Sequence, residues 1–213
     1  MPSPFDPGFV KICGVTTVED AEFSARAGAS AIGVNLAVGS PRRVSLEMAR
    51  ELISATDGAL WRCAIYRGSG DDEILRDLDE LDVEMVQLHD ALSGTLLDAL
   101  RERSLIVVKA LNIEGLDFDE FDEARVDAVL VDGPRPGSGV THAWTRLKDR
   151  RFAVPVIAAG GLNPANVAAV IESTTIIGVD SASGVERSPG TKDHEAVTSF
   201  VTNARRAFAS REE

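Results

Sequence analysis

Cysteine is scarce in this chain: two residues, Cys13 and Cys63, in 213. Two thiols build neither a disulfide framework nor the four-ligand set of a structural zinc site, so both are expected reduced, with Cys63 a core residue. Basic residues are outnumbered: 22 Lys and Arg against 34 Asp and Glu leave a formal net charge of −12. That balance argues against nucleic acid and membrane surfaces as partners, because both are anionic. An anionic ligand would have to be held by local donors against an unfavourable overall field. No apolar run approaches the length of a membrane span. The opening "MPSPFDPGF" lacks both the basic and the apolar region of a signal peptide, and a cytoplasmic protein is expected. No low-complexity linker or charge block marks a boundary. Residues 1–213 are therefore expected as one domain, with residues 1–8 an N-terminal extension, and this length suffices for one sizeable core.

What the chain does contain is an alternation. Short aliphatic runs read as buried parallel strands at Val10–Val15, Ala31–Leu36, Leu60–Tyr66, Met85–His89, Leu105–Leu111, Ala128–Val131, Val154–Ala159 and Thr175–Val179. Stretches with helical spacing lie between them. "TTVEDAEFSARAGAS" offers Thr16 or Thr17 as cap, acids in the first turn and Gly28 as stop; "SLEMARELISATDG" offers Ser45 and Gly58. The sixth unit is the weakest, because "PRPGSGVTHAW" reads as loop. An open doubly wound sheet is the alternative, but eight even units in this length favour a single-domain α/β fold of the closed (β/α)8 TIM-barrel type.

In such a barrel the chemistry sits at the carboxyl ends of the strands. The predicted strands end in Cys13, Asn35, Gln87 and His89, Lys109, Asp132, Gly160–Gly161 and Asp180–Ser181. Each alone has an ordinary structural explanation, as a core thiol or a turn residue. Their convergence on one rim points to a site. "AAGGLNP" after strand seven and "VDSASGVERSPG" after strand eight carry glycines that let backbone N–H groups approach an anion, where this architecture usually binds phosphate.

The chain resembles the phosphoribosylanthranilate isomerase family of tryptophan biosynthesis nearly end to end. The resemblance is carried by "KICGVTTVEDA", "GASAIGV", "SPRRVS", "VQLH", "VVKAL", "VLVDG", "AAGGLNPANV" and "VDSASGVERSPGTKDH". It implies an Amadori rearrangement of N-(5′-phosphoribosyl)anthranilate, without cofactor or metal, on a small phosphorylated substrate. It also implies Cys13 as general base and Asp132 as general acid. Arg42 would hold the substrate, and Gly160, Gly161, Ser183 and Gly184 its phosphate. A monomer is expected. The chemistry needs an acid for the ring oxygen and a base for the C2 proton, facing the sugar from separate positions. A thiolate serves as base if its pKa is lowered. Lys11, two residues from Cys13 and on the same strand face, either supplies positive potential there or pairs with an acid.

The chain departs from the family pattern at Asn35, Ala37, Asp90, Val140, His142, Ala143 and Ala182, around the expected substrate face. A related sugar-phosphate isomerase, or a barrel that only binds a phosphorylated ligand, are the alternatives. Cys13 in place of an aspartate counts against the first, and the retained acid and base against the second.

Overall fold

The structure, a computed structural model, describes residues 4–113, 125–133, 147 and 151–211. Eight parallel strands close into a barrel in chain order: β1 (Phe9–Cys13), β2 (Ala31–Asn35), β3 (Trp61–Tyr66), β4 (Met85–Leu88), β5 (Ile106–Asn112), β6 (Ala128–Asp132), β7 (Val156–Ala159) and β8 (Gly178–Ser181). The ring closes through β1 and β8, with Lys11 opposite Asp180. The described helices are α1 (Val18–Arg26), α2 (Leu46–Ala55), α3 (Asp71–Glu80), α4 (Gly94–Glu102), α5 (Val167–Ser173) and α6 (His194–Ala209). None is long and apolar enough to cross a membrane. The predicted sixth loop, "PRPGSGVTHAW", lies outside the described residues.

Period-two alternation divides the strand residues between two cores. Phe9, Cys13, Ala31, Cys63, Ile65, Met85, Val108, Leu130 and Ile157 fill the barrel interior. Their neighbours Val10, Ile12, Ile32, Val34, Val86, Val129 and Val179 face outward, into the layer shared with the helices. Both faces are covered, which is why the strands read as nearly continuous apolar runs. The helices start where the sequence provides side-chain oxygens. Thr17, not Thr16, accepts from Asp20 N; Ser45 accepts from Met48 N; and Asp193 accepts from Glu195 N and Ala196 N.

One strand is displaced from its expected place. The apolar run Thr175–Val179 predicts the eighth strand, yet the ladder begins at Gly178 and ends at Ser181. Ile176 is buried without being in the ladder, and Ile177 O instead receives Gly8 N at 2.9 Å and Phe9 N at 3.2 Å. Apolarity reports burial, and here burial starts before pairing does.

Tyr66 ends β3 on the outward side and is 1 % exposed, and its hydroxyl has no hydrogen-bond partner among the described residues. A buried hydroxyl without a partner costs more than its absence. Tyr66→Phe is therefore expected to raise stability by about 1 kcal/mol and to leave turnover unchanged. A denaturant titration checks this; a loss of stability of that size would mean the hydroxyl is satisfied.

Candidate active site

At the carboxyl ends of the strands lies a cavity of about 240 Å³. Its wall includes Cys13, Asn35, Arg42, His89, Asp132 and Asp180, and the turns Gly160–Leu162 and Ser181–Ser183. Of the residues singled out from sequence, Cys13, Arg42, Asp132, Gly160, Gly161 and Ser183 reach this wall; Gly184 does not line it but packs against the carbonyl of Leu162, which does. Lys109 does not line it. Its neighbours Val108 and Ala110 face the interior, and its Nζ donates to His89 O at 2.7 Å and Ala110 O at 3.0 Å. Among the family departures, Asn35 Oδ1 accepts from Ala37 N at 2.9 Å, and Asp90 accepts from Gly68 N at 2.5 Å. Asn35 ties down its own loop, and Asp90 ties the loop after β3 to the loop after β4. Val140, His142 and Ala143 lie outside the described residues.

The two glycine loops interlock. Gly160 has φ +84, and a Cβ there would collide with Gly133 and Asp132. Gly184 has no such dihedral, but its Cα faces the Leu162 carbonyl so closely that no side chain fits. The same carbonyl accepts from Ser181 Oγ at 2.7 Å. The asparagines of "GGLNPAN" complete the turn: Asn166 Nδ2 donates to Gly161 O at 3.0 Å, and Asn163 N donates to Asn166 Oδ1 at 2.8 Å. Among the described residues, the backbone N–H groups of Gly160, Gly161, Ser183 and Gly184 donate to nothing. A cluster of free amides between two glycine turns is an anion-binding arrangement.

Cys13 ends β1 and is 9 % exposed, with Gly33 beside it, where a Cβ would come 3.2 Å from the sulfur. Lys11 lies one layer deeper, but it does not serve the thiol alone. Its Nζ is 3.0 Å from Asp180 Oδ1 and 3.1 Å from Gln87 Oε1. Burial opposes the lysine charge most strongly, but Asp180, Cys13 and Cys63 together outweigh it, so the Lys11 pKa is raised. Burial, and then the Asp180 charge, likewise push the Cys13 thiol up, against smaller opposing effects of Lys11 and Lys192. A thiol lowered by its lysine neighbour is thus not what the fold provides: the lysine charge is answered by Asp180.

Asp132 stands at the opposite wall, three strands from β1 around the ring. Its side chain opens to the cavity mouth and stays exposed there, while the walls take away part of its hydration. That desolvation, with Asp180 second, raises its pKa to about 6.

Arg42 is held from two sides. Its stem packs on Gly14, which has φ +69 and no room for a Cβ. Its Nε and one terminal nitrogen pair with Glu186 at 2.8 Å and 2.6 Å. Glu186 also accepts from Lys192 Nζ at 2.9 Å, and Lys192, 0 % exposed, donates to Cys13 O at 2.6 Å. Glu186 and Lys192 belong to the quoted motif "SGVERSPGTKD", but their roles were not apparent from it. A buried ion pair six residues apart leaves no periodic trace in sequence.

A closed parallel barrel with this cavity at its carboxyl end belongs to the (β/α)8-barrel enzymes. Within them, the family model described as N-(5′-phosphoribosyl)anthranilate (PRA) isomerase matches residues 10–203. The chain belongs to that family. It is 39 % identical over 207 residues to the N-(5′-phosphoribosyl)anthranilate isomerase of Haloferax volcanii, covering 93 % of each chain. The solved phosphoribosyl anthranilate isomerase of Thermotoga maritima superposes with a TM-score of 0.81 at 33 % identity, covering 92 % of this chain and 98 % of that one. A further solved isomerase, in complex with reduced 1-(o-carboxyphenylamino)-1-deoxyribulose 5-phosphate, gives a TM-score of 0.74 at 31 % identity, over 92 % of this chain and 98 % of that one.

Proposed function

We infer that the chain catalyses the Amadori rearrangement of N-(5′-phosphoribosyl)anthranilate to 1-(o-carboxyphenylamino)-1-deoxyribulose 5-phosphate, a step of tryptophan biosynthesis. The observation that carries this is that one cavity in a chain of this family brings together Cys13, Asp132, Arg42 and the two glycine loops. The related isomerase that was solved with a reduced form of the product supports it. Incubation with N-(5′-phosphoribosyl)anthranilate should abolish the anthranilate-type fluorescence of the substrate. A stable signal at micromolar enzyme would sink the assignment.

In this scheme the free amides of Gly160, Gly161, Ser183 and Gly184 hold the phosphate and fix the sugar across the barrel mouth. Protonated Asp132 gives its proton to the ring oxygen. The C1–O bond breaks, and the nitrogen lone pair closes a C1=N iminium. The Cys13 thiolate then takes the C2 proton, and the freed electron pair forms C1=C2 as the iminium π pair returns to nitrogen. The enolamine becomes the ketone when its C2 hydroxyl proton leaves and C1 gains one, so the reaction is an isomerisation overall. The iminium places a positive charge beside Cys13 at the moment the thiolate is needed, which offsets the burial that raises the resting thiol.

Arg42 meets the anthranilate carboxylate. Glu186 occupies one edge of the guanidinium and leaves the other for the substrate. Arg42→Ala is expected to raise KM about tenfold or more with kcat much less affected, because a ground-state contact is lost. Steady-state kinetics would remove Arg42 from the site if KM stayed at the wild-type value. The working unit is a monomer in this scheme, since every group it uses comes from one chain.

A further inference from the structure

One titratable side chain of the cavity wall, His89, takes no part in the acid–base scheme. It follows β4 directly, and its ring ends a chain of contacts that begins at Asp180. Asp180 Oδ1 accepts from Lys11 Nζ at 3.0 Å, and Lys11 Nζ donates to Gln87 Oε1 at 3.1 Å. Gln87 Nε2 then lies 3.0 Å from His89 Nε2. An ammonium group can only donate. Lys11 therefore turns the carbonyl oxygen of Gln87 toward itself and the amide NH2 toward His89. That NH2 can only donate as well, so His89 Nε2 must accept. An imidazole whose Nε2 accepts is uncharged and carries its proton on Nδ1.

Two further facts agree with this. Protonating the ring would set an Nε2–H against the Gln87 NH2. The surroundings also oppose a charge: burial first, then Lys109, Lys11 and Arg67, against Asp90 alone, lower the His89 pKa to about 4. Among the described residues, Nδ1 has no partner. The cavity thus contains a neutral N–H donor whose tautomer is set from the far side of the barrel.

We propose that His89 is a further catalytic residue of the rearrangement, its Nδ1–H donating to the oxygen on C2 of the substrate as that oxygen changes from hydroxyl to carbonyl. This rests on the isomerase function inferred above. Phosphate, carboxylate and ring oxygen are already served by the glycine loops, Arg42 and Asp132. The C2 oxygen is the remaining substrate oxygen whose charge changes in the second half of the reaction. A fixed donor stabilises it most when its charge is greatest, and so lowers the barrier more than it tightens substrate binding. His89 keeps its own proton throughout; the proton leaving the C2 oxygen is balanced by the one gained at C1.

Nitrogen-15 NMR of the intact protein, with the His89 signals assigned by their loss in His89→Ala, reads the tautomer directly. The expected result is a protonated Nδ1 and a bare Nε2 from about pH 5 to about pH 8. A protonated Nε2, or a charged ring near neutrality, overturns the proposal whatever the reaction. In turnover, His89→Ala is expected to lose about 10²-fold in kcat with KM nearly unchanged. His89→Asn, whose amide N–H overlays the Nδ1–H, should recover most of that loss. Gln87→Glu replaces the amide N–H that faces His89 by an acceptor, so the ring must donate from Nε2; a protonated Nε2 is the expected NMR result in this variant, and a bare one would overturn the tautomer assignment. Wild-type kcat in His89→Ala, or a loss confined to KM, overturns the catalytic role. Absence of turnover by the wild-type protein would instead sink the isomerase reading and this role with it, while the tautomer still stands or falls by NMR.

Discussion

Asp132→Asn is expected to fold normally and lose about 10²–10⁴-fold in kcat. The substitution is isosteric, and Asp132 faces the cavity mouth, so packing does not depend on its proton. KM should change little, because the phosphate loops and Arg42 still hold the sugar. The pH dependence carries the sharper test. Asp132 titrates at about 6, and the Cys13 thiol lies above its ordinary range. Between those values the pair holds one proton, which rests on sulfur. The working arrangement is the other tautomer, acid protonated and thiolate free, with the same proton count. Wild-type kcat/KM should therefore be bell-shaped. It should fall below about pH 6, where a second proton arrives, and again above the thiol pKa, where the last one leaves. Without the acid, the remaining rate depends on the thiolate alone and should climb with pH until Cys13 ionises. The ratio of wild type to variant cancels the titration of the substrate phosphate.

Cys13→Ala is expected to lose activity on the same scale, about 10²–10⁴-fold in kcat, with the opposite pH signature. The remaining rate then needs only protonated Asp132, so it should be greatest at low pH and fall as pH rises through about 6. Truncating one sulfur at the cavity wall should cost little stability, which a thermal scan checks. If either variant keeps kcat within about threefold of wild type, that residue is structural and the acid–base assignment is wrong for this chain.

Much of the fold was legible in the residues. Parallel strands covered on both faces leave aliphatic runs, and helices covered on one face leave spaced ones, so the alternation of eight units could be read directly. Caps such as Ser45 and Asp193 act on atoms two or three residues away, and such local chemistry survives in sequence. The start of β8 was less legible, since Ile176 and Ile177 are as apolar as strand residues but serve as a shoulder for β1. Of the site, the glycine turns and the positions of Cys13 and Asp132 could be read from motif and strand end. The partners of Arg42 could not.

The barrel, the rim on which the polar residues gather and the family to which they belong all follow from periodicity and short motifs, and these are local properties of the chain. The tertiary structure decided the electrostatics. Lys11 is two residues from Cys13, and sequence proximity suggests a depressed thiol; but burial first, and then Asp180, which lies 169 residues from Lys11 and answers its charge, push the thiol the other way. Glu186 reaches back 144 residues to fix Arg42, and Gln87, 76 residues from Lys11, passes the lysine's orientation on to His89. Charge–charge energies depend on distance through space and on the water removed between the groups. Closing the ring of strands sets both at once.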